Sequence, residues 1–509
     1  MIATISSACL LGVEGHPVVV EAQVSRGLPG VSIVGLPDAA CREARDRVRA
    51  ALLSSGLPWP QQRTTINLAP PTVRKVGSGL DVAIAVALLV ALGELPARSA
   101  AGLAFVGELG LDGSLRRVPG VACRVGALDA TCAVVVPAEA AAEAVAAAGG
   151  REVRPQRRLA DLVAALRGEA AWERARPVGP GVPRPPGGPD LADVRGQPVA
   201  RRALEVAAAG GHHLLLNGPP GSGKTMLAER LPGLLPALSD EAALEVTRIH
   251  SAAGELLPAE GIVRRPPLRA PHHSASTVAL VGGGTAVMRP GEISLATHGV
   301  LFLDEMAEFP PAVLDALRQP LEQGRVRVVR AAGAATFPAR FLLVGAMNPC
   351  RCGEAGRPGA CSCSDVVRAR YLRRISGPLL DRFDLRVDVP RPDVDELLGG
   401  GRGEASAVVA ERVARVRGLA AGRGVASNAA IPAARLDELA PLEPAAAALV
   451  EGALRNGRLS ARGLHGVRRV ACTVADLAGR DGAVRADDVA LALALRASTP
   501  GGRHLAVAG

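Results

Sequence analysis

The sequence predicts an α/β protein in which a parallel-sheet domain is preceded by an α+β domain and followed by a helical domain. Three observations support this fold class. A short apolar run at 214–217 breaks into a glycine-rich loop and continues as a helix, which is the pattern of a buried parallel strand with its crossover helix. Strand and helix patterns alternate before this point. Alanine- and arginine-rich helical patterns fill the chain from about residue 397.

Composition marks the domain boundaries. The stretch 168–189 is rich in proline and glycine, as in an extended and semi-rigid linker. We therefore predict an N-terminal domain at 1–167, a central domain at 190–395 and a C-terminal helical domain at 396–509.

The N-terminal domain combines strands and helices. Strand patterns lie at 18–24, 31–34, 64–68, 103–109 and 114–118. Asp38 is placed to cap a helix that continues through Leu52, and the apolar run 81–92 predicts a helix buried on all sides. This mixture predicts an α+β domain.

The glycine-rich loop after 214–217 is a phosphate-binding P-loop. Its glycines let backbone N–H groups converge on phosphate oxygens, while Lys224 reaches the terminal phosphates and Thr225 ligates Mg²⁺. The chain has 59 glycines, so a chance match is the alternative, but the strand before the loop and the helix after it are both evident. The predicted nucleotide-binding residues are Gly218, Pro219, Pro220, Gly221, Ser222, Gly223, Lys224 and Thr225.

The lysine content supports this interpretation. Lys75 and Lys224 are the only lysines in the chain, and all other cationic side chains of this type are arginines. A compact ammonium on a flexible stem suits a triphosphate better than a planar guanidinium does.

A second apolar strand, 300–303, ends in two acidic residues. This is the form of a Walker B element, in which Asp304 holds Mg²⁺ and Glu305 orients the attacking water. A pair of acids that merely caps a helix is the alternative.

Three further polar residues resemble parts of AAA+ ATPases. Asn348 follows a predicted strand at 341–346 and resembles the sensor 1 residue, which contacts the γ-phosphate or the water. Arg382 lies in a Leu-Leu-Asp-Arg-Phe-Asp-Leu motif that resembles the one carrying the arginine finger in the magnesium chelatase and MCM branch. Arg462 resembles sensor 2 of the helical lid. A surface arginine paired with Asp381 or Asp384 is the alternative for Arg382.

Longer motifs extend the resemblance over nearly the whole chain. The central domain resembles the magnesium-chelatase-like ATPases at 269–274, 281–285, 289–296 and 301–305. The first domain resembles the Lon-protease-like domain of the YifB/ComM family at 65–70, 75–81 and 105–109. The resemblance implies a Mg²⁺-dependent, ATP-hydrolysing hexameric ring that acts on DNA as a branch-migration helicase in natural transformation or recombination.

The same motifs argue against proteolysis. In Lon-type proteases a serine nucleophile follows the glycine equivalent to Gly77 by two positions, and that position here is Gly79. The segment 119–127, where an activating lysine is expected, contains none. Ser78 and Lys75 are only local neighbours without a third orienting group, so protease activity is not expected.

Charge and composition favour an acidic partner. The net charge is +10 and the isoelectric point is near 9.7, which favours nucleic acid, although excess surface arginine is the alternative. Aromatic residues make up only 2%, so contacts should go mainly to phosphates. Arg325 and Arg327 lie on one face of a segment that resembles the pre-sensor 1 hairpin, where they could meet phosphates in a central pore. An ordinary solvent-exposed hairpin face is the alternative. The adjacent His272 and His273 are interpreted as structural.

Four of the nine cysteines are clustered. Cys350, Cys352, Cys361 and Cys363 form two C-x-C pairs, which predict a tetrahedral Cys₄ zinc site that clips the loop after Asn348. Structural zinc sites more often use C-x₂-C, and free or redox-active thiols are the alternative.

No secretory signal is evident and the longest apolar run, 82–92, is too short to span a bilayer, so we expect a cytoplasmic protein without membrane association. Two other functions stay open. One is a metal-chelatase-type ATPase subunit that drives magnesium insertion into a porphyrin through a partner protein, and the other is a non-enzymatic scaffold.

Overall fold

The structure is a computed structural model that describes residues 2–175, 188–284, 288–330, 333–355, 360–392 and 401–496, with the single positions 395 and 399. Residues 176–187, which form most of the predicted linker, lie outside this set. Within the described ranges, no helix has the length and apolar character needed to cross a bilayer.

The first part of the chain is an α/β layer structure. Its helices are α1 (Ala39–Ser54), α2 (Asp81–Leu92), α3 (Val121–Ala127), α4 (Ala141–Ala147) and α5 (Leu159–Arg167). Its strands are β1 (Ile2–Leu11), β2 (Glu14–Ser25), β3 (Gly30–Val34), β4 (Arg63–Ala69), β5 (Leu103–Phe105), β6 (Glu108–Leu109), β7 (Leu115–Arg116), β8 (Ala133–Pro137) and β9 (Val153–Gln156). Seven of these strands form one mixed sheet in the order β3-β4-β2-β1-β5-β8-β9.

Helix α2 occupies the centre of this domain because it is apolar at every position after its first residue. That residue, Asp81, is fully buried and accepts two hydrogen bonds from the Arg47 guanidinium of α1, at 2.7 and 3.0 Å. The ion pair fixes α1 against α2. Helix α1 begins where Asp38 accepts a hydrogen bond from the backbone N–H of Cys41, as its capping position predicts.

The central part is built around a five-stranded parallel sheet, and it also contains two two-stranded sheets and several helices. Its principal helices are α6 (Pro198–Gly210), α7 (Lys224–Arg230) and α8 (Asp240–Ala253), followed by the shorter α9 (Thr277–Val281), α10 (Glu292–Leu295), α11 (Pro311–Asp315), α12 (Arg318–Gln323), α13 (Asp365–Leu372) and α14 (Gly377–Leu380). Its strands are β10 (Leu214–Asn217), β11 (Leu268–Arg269), β12 (Gly282–Gly283), β13 (Arg289–Pro290), β14 (Val300–Leu303), β15 (Arg325–Arg330), β16 (Gly333–Pro338), β17 (Leu342–Met347) and β18 (Leu385–Asp388).

The order of the main sheet is β11-β14-β17-β10-β18, and every neighbouring pair is parallel. Strands β10, β14 and β17 are buried along their whole length, as expected for parallel strands covered on both faces. The carboxyl ends of all five strands therefore meet at one edge, which is where ligands bind in open parallel sheets.

The C-terminal part is helical. It contains α15 (Ser406–Gly422), α16 (Leu436–Leu439), α17 (Pro444–Arg455), α18 (Ala461–Leu477) and α19 (Ala486–Ala494). Apolar residues of α15, α17 and α18 share one core with α6 and with strands β10 and β18, so the helical part packs directly against the sheet.

The first part packs on the central part through α3 and α8. Glu143 of α4 is buried and contacts both Ser251 of α8 and Arg117, whose guanidinium also donates to the Glu255 carbonyl at 3.3 Å. The turn between β1 and β2 lies against the β15–β16 hairpin, where a Cβ on Gly12 would come within 2.8 Å of the Ala335 Cβ. The two parts therefore share a packed interface.

Two sequence predictions in the first part differ from the structure. Strand β1 was not predicted, since its polar and small residues obscure the alternation of a half-buried strand. The predicted strand 103–109 is interrupted after Phe105, because Gly107 leaves the sheet and exchanges backbone hydrogen bonds with Gly79 and Val82.

Candidate nucleotide site

The loop between β10 and α7 lies at the carboxyl edge of the main sheet. It begins at Gly218, where a Cβ would lie 2.1 Å from the Val389 carbonyl oxygen, so only glycine fits this position. Gly221 and Gly223 have φ angles of 75° and 90°, which favour glycine, and nothing lies within 4 Å of a Cβ placed on either. The backbone is thus bent into an open concave turn with α7 starting directly behind it.

The Lys224 side chain folds back over this turn. Its ammonium donates hydrogen bonds to the carbonyl oxygens of Gly218 at 2.7 Å and Pro219 at 2.9 Å, and to Asn348 Oδ1 at 3.3 Å. Burial lowers the pKa of Lys224 below its usual value, and the nearby Asp304 and Glu305 carboxylates oppose that shift. The side chain is held by neutral oxygen atoms, which a strongly negative ligand could replace.

Thr225 meets the acidic end of β14. The Thr225 hydroxyl donates to Asp304 Oδ2 at 2.8 Å, and the second carboxylate oxygen accepts the Glu305 backbone N–H at 2.8 Å. Hydroxyl and carboxylate oxygens are the ligands that Mg²⁺ prefers. These two side chains therefore fit a shared magnesium ion beside bound phosphates.

Glu305 has a neighbour that the sequence did not indicate. Its backbone is left-handed, with φ of 48°, and its Oε2 lies 3.2 Å from His273 Nδ1. The His273 ring packs edge-on against Phe309, with ring centroids 6.5 Å apart. The interpretation of His273 as merely structural missed this contact. Sheet order explains why, since β11 pairs with β14 and brings the following segment to Glu305, and this pairing cannot be read from spacing.

These residues surround a cavity of about 420 Å³. A second cavity, of about 350 Å³, adjoins it and shares Thr225, Asp304 and Glu305. The second cavity also includes His272 and His273 in its wall. Volumes of this size are typical of small-ligand sites. The first cavity is lined by Pro220, Gly221, Ser222, Gly223, Lys224, Thr225, Met226, Asp304, Glu305, Met347 and Asn348.

Arg382 and Arg462 lie near Glu322, and neither lines the first cavity. Arg382 donates to Glu322 Oε1 at 3.1 Å and is mostly buried, whereas Arg462 is exposed at the start of α18. Both arginines lower the pKa of the Glu322 carboxyl, and Arg382 has the larger effect. The structure thus does not bring either arginine to the cavity that contains Lys224 in the same chain.

The four clustered cysteines follow β17 immediately. Their Sγ atoms all lie within 4.8 Å of one another, and all four are free thiols. The Cys350 sulfur is 3.2 Å from that of Cys352 and 3.8 Å from that of Cys361, and the last two are 3.6 Å apart. The sequence pairs 350–352 and 361–363 therefore converge on one point.

In the Lon-like region, a buried side chain occupies the space beside Gly79. A Cβ on Gly79 would lie 2.7 Å from the Arg124 guanidinium carbon, and this buried arginine donates to the Ala8 carbonyl at 2.6 Å. The Ser78 hydroxyl donates to Glu108, and the Lys75 ammonium donates to the Pro70 carbonyl. Ser78 and Lys75 thus have separate partners, and the geometry of a nucleophile–base pair is not formed.

The parallel sheet, its phosphate-binding loop, the acidic strand end and the packed helical domain define an AAA+ ATPase of the magnesium-chelatase type. Family models described as the magnesium chelatase subunit ChlI match residues 190–397 and 20–140, and a model of the ChlI C-terminal part matches 403–496. This class uses ATP and Mg²⁺ and is typically oligomeric.

The chain belongs to the YifB/ComM family of this class. It is 43% identical to the uncharacterised protein YifB of Escherichia coli, over 94% of this chain and 93% of that protein. It is 42% identical to the competence protein ComM of Haemophilus influenzae, over 94% of both chains. The magnesium-chelatase 38 kDa subunit of Rhodobacter capsulatus is 28% identical over 46% of this chain and 62% of the subunit.

Proposed function

We propose that this protein is a Mg²⁺-dependent, ATP-hydrolysing ring motor that acts on DNA, as a branch-migration helicase in natural transformation or recombination. The observation that carries the motor part is the convergence of Lys224, Thr225, Asp304 and Asn348 around one cavity at the carboxyl edge of the sheet.

Each residue has a proposed role. Lys224 binds the terminal phosphates, and Thr225 with Asp304 holds Mg²⁺, which when bound neutralises charge on the β- and γ-phosphates. Glu305 orients the attacking water, and Asn348 contacts the γ-phosphate or that water. His273 holds the Glu305 carboxylate in position through its 3.2 Å contact.

The positions of two arginines support the proposal of a ring. Arg382 and Arg462 flank Glu322 and lie apart from the cavity of their own chain. An arginine finger acts by touching the transferred phosphoryl group, so Arg382 could do so only at the site of a neighbouring copy. We therefore propose that both arginines complete the neighbour's site in a ring, which we expect to be hexameric.

The DNA contact is proposed at the β15–β16 hairpin. Arg325 and Arg327 are exposed and alternate with the buried Val326 and Val328, so one face of β15 presents cationic side chains. The net charge of +10 adds attraction to a polyanion. The name of the Haemophilus relative, a competence protein, supports a place in DNA uptake or recombination.

A chelatase-type function is the second candidate. It is favoured by the ChlI family models and by the similarity to the Rhodobacter magnesium-chelatase subunit. YifB and ComM match this chain over nearly its full length, and this weighs toward the first proposal.

The deciding experiment measures ATP turnover by the purified full-length protein with single-stranded DNA, forked DNA and four-way junctions at several salt concentrations. We expect branched or single-stranded DNA to stimulate turnover and salt to weaken this effect steeply, because phosphate contacts release counterions. The variant Glu305→Gln should bind ATP but hydrolyse it about 100-fold more slowly.

A pair of double variants tests the hairpin. Arg325→Ala with Arg327→Ala should reduce the salt slope of DNA binding by about 1 for each arginine, whereas Arg435→Ala with Arg455→Ala removes the same charge from the helical domain and should leave it unchanged. Stimulation by a chelatase partner but not by any DNA would support the second candidate, and absence of hydrolysis by the wild type would contradict the motor.

A further inference from the structure

The cysteine cluster adjoins the nucleotide site, although its sulfur atoms lie outside that cavity. The cluster begins two residues after Asn348, which accepts a hydrogen bond from Lys224. Both ends of the cysteine-containing loop join elements of the central domain, because β17 precedes it and α13 follows it. We therefore considered what the cluster binds and what that would do to the loop.

The sulfur geometry fits a single tetrahedral metal ion. Four thiolates around one zinc at about 2.3 Å are separated by about 3.8 Å along each edge of the tetrahedron. The observed separations of 3.2, 3.6 and 3.8 Å lie at or slightly below this value, and the fourth sulfur lies within 4.8 Å of the others. A disulfide needs sulfur atoms about 2.05 Å apart, so the arrangement is that of separate thiols directed at one centre.

The surroundings of Cys350 also suit a metal ligand. This residue is fully buried, and the Ala355 backbone N–H donates to its sulfur at 3.3 Å. Such outer hydrogen bonds orient thiolate ligands and stabilise their negative charge. All four ligands are soft thiolates in a closed set, which favours zinc over magnesium or calcium.

The loop contacts the nucleotide-binding residues at two further points. A Cβ on Gly353 would lie 2.5 Å from Pro220 Cδ, so this glycine packs directly on the phosphate-binding loop. The next residue, Glu354, accepts a hydrogen bond from Arg391 at 2.6 Å. Arg391 in turn lines a cavity with Gly221 and Gly223. Displacement of the loop would thus disturb the P-loop from one side.

The C-terminal end of the cysteine-containing loop also leads to the neighbourhood of Asn348. Ser364 caps α13 by accepting a hydrogen bond from the Val367 N–H, and Tyr371 of that helix is buried beside the backbone of Asn348. A metal ion that joins both C-x-C pairs would therefore fix both ends of the loop around Asn348.

We propose that Cys350, Cys352, Cys361 and Cys363 bind one Zn²⁺ and that this ion holds the loop against Pro220 and Asn348, so that zinc occupancy controls the affinity for nucleotide. The control of affinity rests on the proposed nucleotide site, whereas the zinc binding does not. Without the ion, the two C-x-C pairs are no longer joined, and the position of Asn348 relative to Lys224 is less well defined.

The first measurement is metal content of the full-length protein by inductively coupled plasma mass spectrometry. We expect one zinc per chain in the wild type and in Cys132→Ser, a matched control outside the cluster. The double variant Cys361→Ser with Cys363→Ser should contain none. A wild-type protein without zinc, or with stoichiometric iron instead, would overturn the assignment.

The second measurement is equilibrium binding of a fluorescent ATP analogue. The zinc-free double variant should bind it about tenfold more weakly than the wild type, which corresponds to one decade in Kd. Gly353→Ala gives an independent check, since its Cβ would press on Pro220 while all four cysteines are retained. It should keep its zinc and still bind nucleotide more weakly.

The outcomes separate the two proposals. If the wild type contains zinc but binds no ATP, the proposed nucleotide function fails while the metal site stands. If the zinc-free variant remains folded by circular dichroism and binds nucleotide as tightly as the wild type, zinc does not control the site. In that case the coupling is wrong although the ATPase assignment is unaffected.

Discussion

Two glycine-rich loops in this chain carry its only two lysines, and each leads into a helix. Lys75 precedes Gly77 and Gly79 before α2, while Lys224 follows Gly223 at the start of α7. Both loops contain glycine at positive φ, and both lysines donate to backbone carbonyls. By local sequence the two loops resemble each other.

Their surroundings are different. The Lys224 loop faces a cavity of about 420 Å³ whose wall includes two carboxylates. The space next to Gly79 is instead filled by the buried guanidinium of Arg124, and Lys75 is completely buried. Burial lowers the pKa of both lysines, but only Lys224 has carboxylates that raise it in opposition. A reactive arrangement therefore needs open space and opposing charge as well as the right residue in a bent loop.

The largest expected effect comes from replacing each of the two lysines in a variant of its own. Lys224→Ala should lower ATP turnover by about 100- to 1,000-fold, because the variant loses the cation that stabilises charge on the transferred phosphoryl group. Lys75→Met should leave turnover within about twofold of the wild type but reduce stability by about 1–3 kcal/mol, because the Pro70 carbonyl loses its donor.

Steady-state ATPase assays and thermal unfolding of both variants make this comparison. Equal turnover by Lys224→Ala and the wild type would contradict the nucleotide site, and a large loss of turnover in Lys75→Met would show that the first domain takes part in hydrolysis.

A substitution at Gly79 tests whether the space beside the Lys75 loop is filled. Gly79→Ala should destabilise the protein by about 1–3 kcal/mol, since its Cβ would lie 2.7 Å from the Arg124 guanidinium carbon and that side chain is held by the Ala8 carbonyl. Gly30→Ala is the matched control because nothing lies within 4 Å of its Cβ. The midpoint of thermal unfolding checks both. Equal midpoints would mean that Arg124 can leave the space beside Gly79.

The smallest effect is expected at His273. Loss of its contact with Glu305 in His273→Ala should lower kcat for ATP by about 2- to 10-fold, the value of one hydrogen bond, while KM changes little. His272→Ala serves as the neighbouring control. A structural role alone would lower the unfolding midpoint without separating kcat from KM, and a change in KM alone would contradict the proposed positioning of Glu305.

Local sequence predicts some parts of this molecule well. The helix 81–92 has the same bounds in the structure because an uninterrupted apolar run has few alternatives. The strands that end before Gly218, Asp304 and Asn348 are evident for the same reason, and parallel pairing brings their ends to one edge. The catalytic roles of these residues stay predictions.

Contacts between distant segments could not be predicted. The contact of His273 with Glu305 depends on β11 lying beside β14, and the filling of the Lon-like site depends on Arg124 of α3 reaching Gly79. The position of Arg462 beside Arg382 likewise depends on how the helical domain packs on the sheet. Spacing along the chain contains none of this information, because these arrangements come from tertiary packing.

The packing of Gly12 against Ala335 connects the N-terminal domain to the β15–β16 hairpin, the proposed DNA contact. Because the β1–β2 turn touches the hairpin directly, a movement of the hairpin during the proposed ATP turnover would push on the N-terminal domain or break this contact. In the proposed motor, the first domain is therefore mechanically coupled to the hairpin.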